Sequence, residues 1–418
     1  MFLTLKMFKC WNVVIALVLM SGVLFSFPSF AQEQGGGKEQ DTQKQETKKG
    51  DEKPFFKKQT LFVGKEHPKD IRLPKMVIAT DGTLIAFTGA CRIYRRSEDK
   101  GETWSDIQRI SPDCGGANVV VDQITGDILV LDQSKRGFWR SQDHAKTWAF
   151  EKAEFRPNRA GQGVLGKTPF GTAGSETGIT LMRGKYKGRL IIPARFTPLA
   201  EPGKKDYEGW PYHYNSVIYS DDRGKTWQSG EPVQTGTGEA AVAELSDGSI
   251  YINSRAHMSC DNRRRIAWSY DGGANFADWS ASDELFEPSG TRPNFRYARK
   301  PSYGTSAGLA RMPDGTTEYD DVLLFSIADT KERGKGGDST KIVVMASFDR
   351  EETWPVERNI PHGGEAIYSS LTADDDGMIY LLFEKSDPPT RFTVTHVSFA
   401  KFNLAWLKEG NPPDWNKE

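Results

Sequence analysis

One short pattern recurs along this chain, and it constrains the fold more than any other feature. Six tight turns, at Asp81-Gly82, Thr125-Gly126, Lys187-Gly188, Asp247-Gly248, Asp314-Gly315 and Asp376-Gly377, each separate two short apolar runs. The runs that follow them (LIAF, ILVL, RLIIPAR, IYINSR, VLLF and IYLLFE) are rich in β-branched and aromatic residues, as strands are. Asp-Gly and its relatives tolerate positive φ, so each unit reads as a hairpin. The fifth turn is looser, with Thr-Thr-Glu-Tyr-Asp-Asp before its second strand.

A second signature follows the hairpin in five of the six units. It runs Ser97-Glu-Asp99-Lys-Gly101-Glu-Thr103-Trp104 in the first, and returns at Ser141–Trp148, Ser220–Trp227, Ser269–Phe276 and Ser347–Trp354. In this S-x-D-x-G-x-T-W box the Asp is suited to accept backbone N–H bonds across a turn. The Gly permits positive φ, and the ring packs under a neighbouring strand. The aspartates therefore read as structural. Six such units predict an all-β fold, a six-bladed β-propeller of four-stranded antiparallel blades. Helix-period stretches with caps are missing, which argues against an α/β fold.

The N-terminal region reads differently. Lys6 and Lys9 precede an apolar run from Trp11 to Phe25, and Ser29-Phe30-Ala31 closes it with small residues at the two positions a signal peptidase reads. Residues 1–31 are expected to be a secretory signal and residues 32–58, rich in Gln, Glu, Lys and Gly, a disordered linker. Residues 59–410 then form the propeller, secreted or periplasmic, with no transmembrane segment beyond the signal. Past the signal only Cys91, Cys114 and Cys260 remain, which allows one disulfide at most, with Cys91–Cys114 the guess. No Cys/His spacing suggests a metal site. With 55 Lys and Arg against 56 Asp and Glu the net charge is −1, so no overall basic field draws the chain to nucleic acid.

The boxes are Asp-box, or BNR, repeats, and the chain resembles the sialidase (neuraminidase) superfamily over nearly all of the mature length. Ile71-Arg72-Leu73-Pro74 is similar to the superfamily's Phe/Tyr-Arg-Ile-Pro motif. Glu239 to Arg255 resembles its Glu-to-Arg hairpin, and Tyr368-Ser369-Ser370-Leu371 its Tyr-Ser-x-Leu segment. The resemblance implies a hydrolase, an exo-glycosidase that needs no cofactor and cleaves terminal sialic or related acidic sugars. Tyr368 would be the nucleophile, since a carboxylate would be repelled by the carboxylate on the substrate's anomeric carbon. Glu239 would take the phenolic proton, and Arg72 and Arg255 would grip the substrate carboxylate.

Repeat geometry provides an independent argument. Arg72 precedes its turn glycine by ten residues, and Glu239 and Tyr368 precede theirs by nine. Arg195, Arg255 and Glu384 each follow theirs by seven. All six therefore fall at one end of the blades, around one mouth of the channel. Two departures from the family pattern stand out. The loop Thr88–Arg96, where the family places an Asp acid/base, has no carboxylate, leaving Glu176 and Glu384 as substitutes. The third clamp arginine is also missing, with Arg333 or Lys341 the replacements. A carbohydrate-binding propeller without turnover, or a hydrolase for another acidic glycan, are the alternatives.

Three further stretches read as lacking a functional role. Gly161–Thr168 fits a phosphate-loop pattern, but Pro169 follows at once where a helix would be needed. Asp374-Asp375-Asp376-Gly377 reads as a hairpin turn, and Arg263-Arg264-Arg265 as a solvated start of a strand.

Overall fold

The computed structural model describes residues 52–65, 71–159, 170–196, 213–258, 261, 263–287, 292–293, 301–302, 304–328, 341–361, 365–386 and 394–410. The signal assigned to residues 1–31, the phosphate-loop-like stretch, Cys260 and Arg333 lie outside them.

Six antiparallel sheets form a six-bladed β-propeller. The innermost strands are Lys75–Ile78, Val119–Val121, Ile179–Thr180, Ala240–Glu244, Gly308–Arg311 and Glu365–Ala373. Each turns at its glycine into a second strand: Leu84–Thr88, Ile128–Asp132, Leu190–Phe196, Ile250–Ser254, Leu323–Ala328 and Met378–Ser386. The third sheet departs from the four-stranded expectation. Phe170–Gly171 adds to Leu190–Phe196, and Glu154–Arg156 runs parallel to the outer strand Thr226–Ser229. Among the described residues no helix is long and apolar enough to cross a membrane.

The missing sixth box has a topological reason. A box joins the third strand of a blade to its fourth, but the last blade takes its outermost strand, Phe56–Val63, from the N-terminal side, where it pairs with His396–Asn403. The chain never makes that turn in the sixth blade. This strand begins inside the stretch read as linker, because Phe56 stacks on Trp406 with ring centroids 4.5 Å apart and Phe62 is fully buried. Asn403 fastens the same corner, accepting from the Phe55 and Trp406 amides at 3.0 Å.

The boxes behave as turns. Asp99 accepts from the Thr103 amide and hydroxyl and from the Ser97 hydroxyl, bonds that hold its carboxyl at about 2, and Asp143 repeats the arrangement. The box ring joins its blade to the preceding one. Trp104 meets Phe399 edge-on at 5.1 Å, Trp148 meets Tyr94 at 5.8 Å, and Trp227 stacks on Phe138 at 4.8 Å. Gly101 (φ +85°) lies so close beneath Phe399 that a Cβ would come within 2.6 Å of the ring.

Two expectations are corrected. Cys91 and Cys114 are both free thiols buried in one apolar cluster, where burial pushes them up to about 12 and about 11. Within Arg263–Ser269 the strand alternation turns Arg264 inward, so it is fully buried instead of solvated. It donates to Asn253 Oδ1 at 2.7 Å, and to Glu287 and the Thr305 carbonyl at 3.0 Å each. The Asp374–Gly377 reading as a hairpin turn agrees with the Gly377 amide donating to the Asp374 carbonyl at 2.9 Å.

Removing the closing ring should be expensive. Phe62→Ala leaves a cavity where Phe56–Val63 closes the last blade, and is expected to cost about 3–5 kcal/mol in equilibrium urea unfolding.

Candidate active site

The inner strands start, and the second strands end, at one mouth of the channel, and there the structure brings together five of the six residues predicted from sequence. Glu239, just before Ala240–Glu244, takes a 2.8 Å bond from Arg255 Nη1 on its Oε2. Its Oε1 lies 3.3 Å from the Tyr368 hydroxyl and 3.7 Å from Arg195 Nη1. Arg255 Nη1 also donates to the Tyr368 oxygen at 3.0 Å. Arg72 sits across the Tyr368 ring, 5.3 Å from its centroid, and donates through Nε to Glu384 at 3.0 Å. Arg333, the sixth, lies outside the described residues. Its alternative Lys341 is exposed, immediately before Ile342–Ser347.

These contacts set the charge states. Burial alone would raise the Glu239 carboxyl, but Arg255 and Arg195 hold it well below the usual carboxylate range. Burial and then Glu239 push the Tyr368 phenol up, while Arg255 and Arg72 pull it down. At neutral pH the pair is therefore a protonated phenol facing a carboxylate, with a guanidinium touching both. The side chains of Arg72 and Arg195 are 42% and 30% exposed, against 11% for Arg255, so the first two present their charge to the open mouth.

Neither substitute proton donor opens into the mouth. Glu384 is fully buried and accepts from Arg72 Nε and the Leu73 amide. Glu176 is 2% exposed and bonded to Ser370 and Thr177. The loop at 88–93 is unusual in its backbone. Gly89, Ala90 and Cys91 all have positive φ, turning the Cys91 side chain into the core, and Thr88 and Ala90 donate to the Arg72 carbonyl.

Three features escaped the sequence reading. His213 Nε2 and His257 Nδ1 lie 3.0 Å apart in the wall behind Glu239, where burial lowers His213 to about 3 and holds His257 well below the usual imidazole range, so both stay neutral. His257 follows Arg255 by two residues, the one signal available. Lys75, next to Pro74, is 2% exposed at the start of the first inner strand. Gly174 packs against Glu239 so closely that a Cβ would come within 2.5 Å of its Cγ.

The fold and this ring define a propeller whose channel mouth gathers arginines around a Tyr–Glu pair. A family profile described as BNR repeat-like domain matches residues 119–381. The chain belongs to that family, within the sialidase superfamily. It is 29% identical over 399 residues to a sialidase of Micromonospora viridifaciens, covering 85% of this chain but only 55% of that protein. A sialidase of Paraclostridium sordellii is 28% identical over 365 residues, 75% of this chain and 81% of its own. Among solved structures, the Hadza microbial sialidase Hz136 superposes with a TM-score of 0.60 at 22% identity, over 82% of this chain and 68% of that one. The intramolecular trans-sialidase of Ruminococcus gnavus gives 0.60 at 14%, over 83% and 97%. At these identities the structures establish the shared fold.

Removing Arg255 should strand the Glu239 charge. Arg255→Leu is expected to cost about 3–5 kcal/mol in urea unfolding at pH 7, and most of that loss should disappear in a Glu239→Gln background.

Proposed function

We propose that this protein is an exported sialidase-like exo-glycoside hydrolase that removes a terminal sialic acid, or a closely related acidic sugar, from glycans. One observation supports this reading above the others: the Tyr368 hydroxyl faces Glu239 at 3.3 Å while Arg255 contacts both, at the mouth of the channel. The relatives named sialidases point to the same chemistry, although the chain spans just over half the length of the Micromonospora protein.

The substrate carboxylate binds to the guanidinium groups of Arg72, Arg195 and Arg255, with Arg333 or Lys341 as further charge from the fifth blade. A neutral phenol approaches the anomeric carbon without repulsion. Glu239, kept ionised by its arginines, accepts the phenolic proton as the oxygen attacks, and a glycosyl–tyrosine bond forms as the leaving group departs. Water then cleaves that bond, its hydroxyl passing to the sugar and its proton to solvent, while Glu239 returns the proton it holds to the departing phenolate.

General acid help is ordinarily worth about 10²–10⁴ in rate. The carboxylate-free loop at 88–96 and the buried positions of Glu176 and Glu384 therefore favour substrates whose leaving group needs little protonation. The same loop motivates the second reading, a glycan-binding propeller without turnover.

The purified protein is expected to release 4-methylumbelliferone from its sialic acid conjugate, and to act much more slowly on an alkyl sialoside. Tyr368→Phe should lower kcat by about 10³-fold or more. Ligand binding without release would favour the binding-only reading. Full activity in Tyr368→Phe would discard the nucleophile.

A further inference from the structure

Beneath the Tyr–Glu pair lies a buried polar group that the reaction does not use. Glu176 sits on the loop that enters the third blade, and its backbone amide donates to the Ala240 carbonyl at 2.8 Å, beside Glu239. The Ala240 amide in turn donates to Ser175 Oγ at 3.3 Å. The Glu176 carboxyl Oε1 accepts from Ser370 Oγ at 2.6 Å, two residues beyond Tyr368, and from the Thr177 amide at 2.8 Å. That same Ser370 hydroxyl accepts from the Met76 amide at 2.9 Å, four residues beyond Arg72. Glu176 is thus joined to the strands that carry Glu239, Tyr368 and Arg72, in three different blades. Its other oxygen, Oε2, makes no close hydrogen bond among the described residues, and the Leu371 amide is the further donor that faces the carboxyl. Lys75, whose charge acts on this carboxyl, is 2% exposed, its ammonium donating to the Pro74 carbonyl at 3.1 Å.

We propose that Glu176 is the positioning residue of this site: a buried carboxyl group that holds the three strands in register beneath the nucleophile. The inference rests on the Tyr368–Glu239 reading above but concerns groups that do not touch substrate. A carboxyl buried this deeply, with no cation in hydrogen-bond contact among the described residues, is best accommodated in the neutral form, since a buried charge without a paired counter-ion is costly. Burial pushes Glu176 up to about 7, with Lys75 acting in the opposite direction, and burial lowers Lys75. The other titratable groups facing the pair are Cys91 from the first blade, Glu239 from the fourth and Glu384 from the sixth. Ionisation of Glu176 would place a second negative charge under the nucleophile.

The sign of the pH effect follows from linkage. A carboxyl raised on folding contributes stability that is present in full below its unfolded value of roughly 4.5. That contribution is lost as pH rises through about 7, and the loss ends only once the folded carboxyl is fully ionised. Glu176→Gln keeps an acceptor oxygen but cannot ionise; Glu176→Ala removes the tie.

The test measures kcat and KM for the 4-methylumbelliferyl sialoside, and thermal midpoints of the ligand-free protein, from pH 4.5 to 8. Glu176→Ala should lose about tenfold or more in kcat with KM changed by less than about threefold, and Glu176→Gln should recover to within about threefold of the parent. The midpoint of the parent relative to Glu176→Gln should fall as pH rises from 4.5 through 7 and flatten only toward 8. If Glu176→Ala does not fold, Ser370→Ala, which removes the shared hydroxyl, is expected to show the same kcat loss. A Gln variant as slow as Ala, or a midpoint difference that does not vary with pH, overturns the proposal. The midpoints need no turnover, so they read Glu176 even if Tyr368→Phe proves fully active and the nucleophile reading fails.

Discussion

The carboxylate of Glu239 is the charge around which this structure is organised. Wedged between Arg255 and the Tyr368 hydroxyl, with Arg195 behind it, it would be an unaffordable buried ion if any blade shifted. Its partners come from the third, fourth and sixth blades, so the site exists only when the ring is closed. The closing strand Phe56–Val63 is therefore part of the functional architecture, although it lies at the outer edge of the last blade.

The propeller solves a problem of convergence. Residues far apart in sequence must meet within a few ångströms, and the fold achieves this by beginning every inner strand at the same mouth. Extended backbone gives each strand a fixed direction and pitch, so position relative to the turn glycine translates into height along the channel. Box rings such as Trp227 and Trp148 then lock each blade against its predecessor. Their aspartates, saturated by local hydrogen bonds, contribute to the turns and not to chemistry.

Much of this was legible in the sequence because it rests on local chemistry. Glycine turns and boxes declare their own geometry, and counting from the glycines placed Arg72, Arg195, Glu239, Arg255, Tyr368 and Glu384 at one end. What escaped depends on tertiary surroundings. Nothing in Arg263-Arg264-Arg265 says that the middle guanidinium turns inward to meet Glu287, and nothing local separates a buried Lys75 from a solvated one. The disulfide guess failed because proximity in the same apolar cluster does not require a bond. The extra strands of the third blade come from connecting segments with no repeat signature at all.

The central claim is that Tyr368 forms a covalent bond to the sugar. The most direct measurement is mass spectrometry of the intact, then digested, protein after brief incubation with 2,3-difluorosialic acid, whose fluoride departs without protonation. The account predicts one glycosyl adduct, carried by the peptide containing Tyr368. An adduct on a carboxylate elsewhere, or none at a concentration that saturates binding, would contradict it.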